Sequence, residues 1–583
     1  MAKTTGDVLF ERLADWGVDT VFGLPGDGIN GFMEGLRKIR ERIRFIQVRH
    51  EEAAAFMACA YAKYTGRLGV CIATSGPGAI HLLNGLYDAK MDGAPVLAIT
   101  GQTYHDLMGM HYQQEVNLLG LFQDVTVFNQ EANGPAHAHA LVDAACRAAL
   151  GAKGVAHINC YNDWQDKTEV DRSPMDVKGH TSVAWTPPIV VPQAESLARA
   201  ADLLNSGKKT VILCGHGARG AGEELEQIAD LFGAPIVKSL LGKDVVPDDS
   251  PYCTGGIGLL GTLPSEKAME ECDSLFLVGT SFPYMDYLPK PGQAKAVQID
   301  RDPARLGLRY PIDIGLTGDA PATLRALLPL LKRRPDRSFL ETAQGRMKEW
   351  WDLMKTRETR TESPMKPQVI AAAVNEHLKE GAIVSTDSGT ITTWAARHLH
   401  MKRGMRFSCS GNLATMAPGL PYAIAAQAAY PEKQVVAFVG DGGFTMLMGD
   451  FVTAVKHDLP IKVIIIKNNV LGQIKWEQMI FLGNPEYGVE LHPIDFVKHA
   501  EACGGVGFRC EKPEEVGPAV AAAFATNKPA IVEAIVDPFE PPMPAQATAK
   551  QALHFAESLA RGEPNRVKIA TTIYRDKVTE FFS

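Results

Sequence analysis

In the first third of the chain, short apolar runs alternate with amphipathic stretches. The spacing predicts a helix over Asp7 to Asp15 closed by Gly17, a strand over Val18 to Phe22, and then the loop GLPGDGING. A strand over Phe45 to Val48 leads into an Ala-rich helix from Glu51 to Gly66. A strand over Leu68 to Thr74 runs into Ser75-Gly76-Pro77-Gly78, and a helix over Ala79 to Ala89 precedes a strand over Val96 to Thr100. Buried β-branched strands separated by helices need crossover connections, which predicts a parallel, doubly wound α/β sheet.

The pattern is interrupted and restarts twice. The proline-rich stretch Trp185 to Pro192 resists helix formation and reads as an interdomain linker. A second α/β segment follows, with strands over Val211 to Leu213, Ser274 to Val278 and Ala296 to Ile299 and a helix over Glu223 to Phe232. After Pro335, Pro364 and Pro367, a third segment runs from Val369 to Val536, with strands over Val435 to Val439 and Val463 to Ile466. Phe539 to Gln546 then sets off a tail in which Val567, Ala570, Tyr574, Val578 and Phe581 recur at helical spacing. The reading is three doubly wound parallel-sheet domains (1–184, 190–335 and 345–538) and a short helical tail (545–583).

Length agrees with this division, since 583 residues are too many for one core. Hydrophobic residues make up 46% and charged ones 22%, values of a globular chain. The 59 Lys and Arg against 67 Asp and Glu leave a net charge of −8 without long like-charge blocks, which argues against nucleic-acid binding. The N-terminal MAKTTGDVLFERL lacks the apolar segment of a secretory signal, and no apolar run approaches the ~18 residues of a membrane span, so a cytoplasmic chain is expected. Ten cysteines without a CxxC read as reduced core thiols rather than a zinc or disulfide framework. The alternating histidines His137 and His139 lack metal-site spacing.

The sharpest chemical pattern is Gly440-Asp441-Gly442-Gly443 after the strand VVAFV, with Asn468 27 residues beyond Asp441, just past the strand VIII and Lys467. A carboxylate and an amide oxygen at the C-terminal ends of two parallel strands make a hard-cation site suited to Mg²⁺, in the crevice where α/β sheets bind ligands. The glycines admit a phosphate to the backbone, and the following helix presents its N-terminus.

These residues resemble the signature of the thiamine diphosphate enzymes. The resemblance implies that Asp441, Asn468 and the main-chain carbonyl of Val470 hold Mg²⁺ on the diphosphate. Gly440, Gly442, Gly443, Asn469, Leu471 and Gly472 would contact the cofactor. Where the family usually has a double Asn, alignment through Val-Leu-Gly sets Lys467 and Asn468, with Asn469 one position later, so either amide is open as the ligand. Arg49-His50-Glu51-Glu52 resembles the family's RHE element, which makes Glu51 the catalytic acid that bonds the aminopyrimidine. Gly76, Pro77 and Gly78 resemble a cofactor-binding turn, and Met416 resembles the apolar prop that bends the cofactor.

The middle segment contains GHGARG (215–220), which formally satisfies GxGxxG, but Pro235-Ile-Val-Lys238 ends in a cation where a ribose-binding acid is expected. A plain NAD site is therefore disfavoured. The segment more closely resembles the FAD domain of pyruvate oxidases, through Gly258 in GGIGLLG, Gly279 and Thr280 in GTSFPY, and Asp300 and Asp302 in QIDRDP.

Over nearly the whole chain the resemblance is closest to pyruvate oxidases, in particular the branch that hands electrons to a membrane quinone. It implies oxidative decarboxylation of a 2-keto acid, with electrons passing from the enamine to FAD and on to a quinone or oxygen. A non-oxidative carboligase such as acetolactate synthase, with a flavin domain idle in redox, stays open beside it. A decayed sensor or scaffold is disfavoured by intact Glu51, Asp441 and Asn468. Sites shared between two chains imply a homodimer or homotetramer. Glu477 and the amides Gln113 and Gln473 would line the substrate pocket, and both amides replace aromatic residues, which predicts a larger or more polar keto acid than pyruvate. The tail either settles reversibly on the inner membrane face or closes over the active-site entrance.

Overall fold

The computed structural model describes residues 2–168, 173–542 and 549–582. Eighteen named strands form three six-stranded sheets, and every pairing is parallel. The first holds β1 (Thr20–Gly23), β2 (Arg44–Gln47), β3 (Gly69–Ala73), β4 (Val96–Gln102), β5 (Thr126–Glu131) and β6 (Val155–Tyr161), in the order β2-β1-β3-β4-β6-β5. The second holds β7 (Thr210–Cys214), β8 (Ile236–Lys238), β9 (Cys253–Gly256), β10 (Ser274–Val278), β11 (Lys295–Asp300) and β12 (Ile314–Thr317), ordered β12-β11-β10-β7-β8-β9. The third holds β13 (Ile383–Thr386), β14 (Arg406–Ser408), β15 (Val435–Gly440), β16 (Lys462–Lys467), β17 (Val506–Cys510) and β18 (Ala530–Ile535), ordered β14-β13-β15-β16-β18-β17.

The first and third sheets thus share one winding, while the second follows the dinucleotide-binding order, reversing direction between β7 and β10. Central strands such as β3, β10 and β16 are buried along their whole length, the pattern expected when helices cover both faces. No helix among the described residues is long and apolar enough to cross a membrane.

The first and third units share a core. The helix Glu51–Thr65, buried from Ala53 to Ala62, packs on the helix Gly419–Ala429, where Leu420 to Ala426 are likewise buried. Small side chains let the two backbones approach closely. Across this contact Lys63 Nζ donates to Asp92 Oδ2 at 2.6 Å and to the Tyr422 hydroxyl at 2.6 Å, and Tyr422 in turn donates to Asp88. All four groups are buried, so losing Lys63 strands carboxylates at a cost of about 3–5 kcal/mol.

Two expectations change. The helix over Ala79 to Ala89 is two helices, Pro77–His81 and Leu83–Asp92, divided at Leu82, and it begins at Pro77, a residue suited to the first helical position. The tail forms helices Ala549–Ala560 and Arg566–Phe582, but the stripe Val567, Ala570 and Tyr574 is not its packing face: Val567 is 71% and Tyr574 73% exposed. Instead Ile569 and Ile573, four apart, join Phe555 and Leu559 against Trp476, Met479 and Ile480. Val578 and Phe581 lie outside the residues whose side chains are described.

Candidate functional site

In the third sheet, three strand ends converge. β15 delivers Asp441, buried to 5% exposure, at the start of the helix Asp441–Met446. Its Oδ1 accepts from Gly442 N–H at 3.0 Å and its Oδ2 from Asn469 N–H at 2.7 Å. Burial pushes the Asp441 carboxyl up to about 6, against the opposing pull of these N–H groups and of Lys467. A divalent cation would reverse that cost. β16 ends in Lys467, whose ammonium is spent on Glu533 Oε1 at 2.6 Å and the Ile494 carbonyl. Asn468, Val470, Leu471 and Gly472 line the same cavity as Asp441, whereas Asn469 turns aside at φ 55° and buries its amide oxygen without a partner.

β13 adds a residue that the motif reading missed. Asp387 is buried, and its Oδ1 accepts from Ser388 and Ala417 N–H at 2.9 and 2.8 Å. A Cβ on Gly443 would fall 2.1 Å from Asp387 Oδ2, so only glycine fits there. Burial raises the Asp387 carboxyl to about 7. The bond to Ala417 also pins a strained segment, with Ala414 at φ 53° and Ala417 at φ 92°, which carries Met416 into the cavity beside Gly442. The signal available in sequence was Asp387-Ser388-Gly389 at a strand end.

The second sheet opens onto this cavity. At its switch point the turns after β7 and β10 approach backbone to backbone, a Cβ on Gly279 lying 2.4 Å from the Gly217 carbonyl carbon. Gly258 (φ 91°), Gly279, Thr280, Asp300 and Asp302 all line the cavity, as do His216, Gly217 and Arg219 of GHGARG, which the sequence reading set aside. Asp300 is buried and accepts from Asp302 N–H at 3.0 Å, while Asp302 is exposed. Arg301, Arg305 and Arg309 supply positive charge at this end. Lys238, where a ribose-binding acid was sought, is buried and paired with Asp248 at 2.6 Å. One continuous cavity of about 1840 Å³ spans both ends.

Glu51 stands elsewhere. His50 N-caps its helix, the ring Nδ1 accepting from Glu52 N–H at 3.2 Å, and Glu51 Oε2 lies 2.9 Å from His81 Nδ1. Gly76 (φ 58°) and Gly78 keep the neighbouring turn tight: a Cβ on Gly78 would sit 3.1 Å from Glu51 Oε1. Glu51, Gly76, Pro77, Gly78 and Gln113 do not border the cavity that Asp441 lines. Gln113 is exposed; the amide packed on this turn is Gln114, whose Oε1 accepts from Ser75 Oγ at 2.6 Å. On the cavity side Gln473 Nε2 donates to Glu477 Oε1 at 3.0 Å.

Known proteins place these features in a family. Three models of thiamine pyrophosphate enzymes match, the N-terminal binding domain at residues 3–121, the central domain at 197–327 and the C-terminal binding domain at 387–534. A Bacillus subtilis protein named for thiamine pyrophosphate, YdaP, is 44% identical over 96% of each chain. Pyruvate oxidase of Lactiplantibacillus plantarum is 35% identical over 93% of this chain and 90% of its own, and acetolactate synthase of Mycobacterium bovis 31% over 95% and 92%. With likeness running from end to end through all three units, the chain belongs to the thiamine pyrophosphate-dependent enzymes of the pyruvate oxidase and acetolactate synthase family.

Proposed function

We propose that the chain decarboxylates a 2-keto acid oxidatively, using thiamine diphosphate, Mg²⁺ and FAD, in an assembly of at least two copies. The continuous cavity reaching both ends carries this reading. A small-molecule site occupies roughly 300–1,000 Å³. About 1840 Å³ reaching from a dinucleotide-type switch point to the Asp441 crevice suits two extended ligands side by side. When bound, thiamine diphosphate supplies a carbon nucleophile for the keto group and FAD an acceptor for two electrons.

The residues fit those groups. Asp441, the Asn468 amide oxygen and the Val470 carbonyl would hold Mg²⁺, because Asn468 borders the cavity and Asn469 is turned away. Gly440 and Gly442 line the crevice that the diphosphate would enter, Gly443 makes room for Asp387, and Met416, clamped through Asp387, is the wedge under the rings. Arg301, Arg305 and Arg309 offer charge for the phosphates of FAD. Glu51 lies outside the cavity lining, so it acts on the cofactor held by a second copy, and Gln113 would reach the substrate in the same way.

Purified protein is expected to be yellow, with about one FAD per chain. Anaerobic addition of a panel of 2-keto acids should bleach that flavin. A flavin that stays oxidised while carbon–carbon bond formation proceeds would overturn the oxidative reading in favour of a carboligase, as the acetolactate synthase relative is named.

Substrate choice follows from Gln473. Its Nε2 is used by Glu477, but its Oε1 is buried without a partner, which costs ~1–3 kcal/mol unless a ligand donates to it. A hydroxylated or longer keto acid should therefore exceed pyruvate in kcat/KM; pyruvate ahead by about tenfold defeats this.

The tail holds the segment that carries Gln473 and Glu477. Glu563 accepts from Glu486 N–H at 2.9 Å, Asn565 donates to Glu486 at 2.6 Å, and Lys475 pairs with Glu486 at 2.8 Å. Its exposed Val567 and Tyr574 leave an apolar stripe for a membrane surface. Substrate-dependent liposome flotation that is lost when the chain ends at Gly562 supports an anchor; equal flotation of both forms leaves the tail as a helix closing the active-site entrance.

A further inference from the structure

We propose that His81 positions Glu51 and carries its proton to solvent, an inference that rests on reading Glu51 as the acid at the aminopyrimidine. The two oxygens of Glu51 face different groups. Oε2 lies 2.9 Å from His81 Nδ1, while Oε1 flanks Gly78, where a Cβ would come within 3.1 Å. The glycine leaves Oε1 open to a ligand, and the imidazole occupies Oε2. Glu52 does not compete for His81, because Asn84 Nδ2 holds its Oε1 at 2.6 Å.

His50 fixes the imidazole from the other side. Its ring stacks on His81 with centroids 4.4 Å apart and planes at 28°, and it is itself tied to the helix start through Glu52 N–H. The ligating atoms of His50, Glu51 and His81 all lie within 4.8 Å of one another. Within one chain exposure rises along the pair, the Glu51 side chain being 9% accessible and that of His81 43%. A buried acid joined to an exposed base is a route for protons. In the step inferred, the O–H bond at Glu51 Oε2 breaks as an N–H bond forms at His81 Nδ1, and the Nε2 proton passes to water. The reverse sequence reprotonates Glu51, so the pair returns to its starting state without net gain or loss of protons.

Asparagine at this position can donate to Oε2 but cannot relay, which separates holding from transfer. The measurement is exchange of the thiazolium proton of bound thiamine diphosphate for deuterium in the full chain with Mg²⁺, followed by quenched-flow NMR. His81→Ala is expected to slow exchange by about 10- to 100-fold and to recover in proportion to added imidazole, with cofactor Kd within about threefold of native. His81→Asn should also be slow at native Kd. In the cofactor-free chain, Glu51→Gln should shift the ¹⁵N signal of His81 Nδ1. Exchange within twofold of native in both variants, slow exchange that imidazole does not restore, or an unmoved His81 signal overturns the proposal. Native exchange in Glu51→Gln would instead bring down the reading of Glu51 itself.

Discussion

Glu51→Gln is expected to bind thiamine diphosphate with near-native affinity and to lose turnover by about 10²- to 10⁴-fold, the usual contribution of a positioned general acid. Glutamine keeps the size of the side chain and a donor or acceptor for His81, now 2.9 Å from Glu51 Oε2, but has no acidic proton to give. The substitution sits at the first residue of the helix Glu51–Thr65, where the cap comes from His50, so folding should be little affected. Titration calorimetry for the cofactor beside steady-state rates on the best keto acid makes the comparison. Rates near native with any substrate would remove Glu51 from the chemistry; a parallel loss of binding would make it a binding residue only.

On the proposed reading of Asp441 as the charged partner of Mg²⁺, Asp441→Ala should behave in the opposite way, losing cofactor affinity by at least about 100-fold. In the cofactor-free chain the sign for stability is reversed. Burial raises the Asp441 carboxyl to about 6, so the folded state holds the proton more tightly than the unfolded chain does. Its contribution is intact below about pH 4 and is lost as pH rises through 6. Asp441→Asn should accordingly melt higher than native above pH 6 without cofactor, equal it near pH 4, and gain little from added Mg²⁺ and thiamine diphosphate where the native chain is expected to gain more. Unchanged metal-dependent stabilisation in Asp441→Asn would exclude this residue as a ligand.

What the amino-acid sequence determined by itself is whatever depends on neighbours along the chain. Apolar runs such as VVAFV and VIII are strands because both faces are buried, and glycines after a strand mark where a backbone must let something approach. Asp441 and Asn468 were legible because each directly follows an apolar strand run, and the structure sets those strands, β15 and β16, side by side. The helix after Glu51 was legible from its alanines, although its end against Tyr422 was not.

Tertiary structure decided the rest, because those relations join residues far apart in the chain. Asp387 reaches Gly443 and Ala417 only once β13 lies beside β15. GHGARG was a weak pattern until the order of the second sheet set it at the switch point. His81 is 30 residues from Glu51 and meets it because the short helix Pro77–His81 packs against the helix that Glu51 begins. The tail's stripe was periodic but did not choose the packing face, since periodicity defines a face and not its partner; Ile569 and Ile573 won by filling the hollow beside Trp476 and Met479. Cavity continuity between two sheets has no signature along the chain, for it arises from how the three units are set against one another.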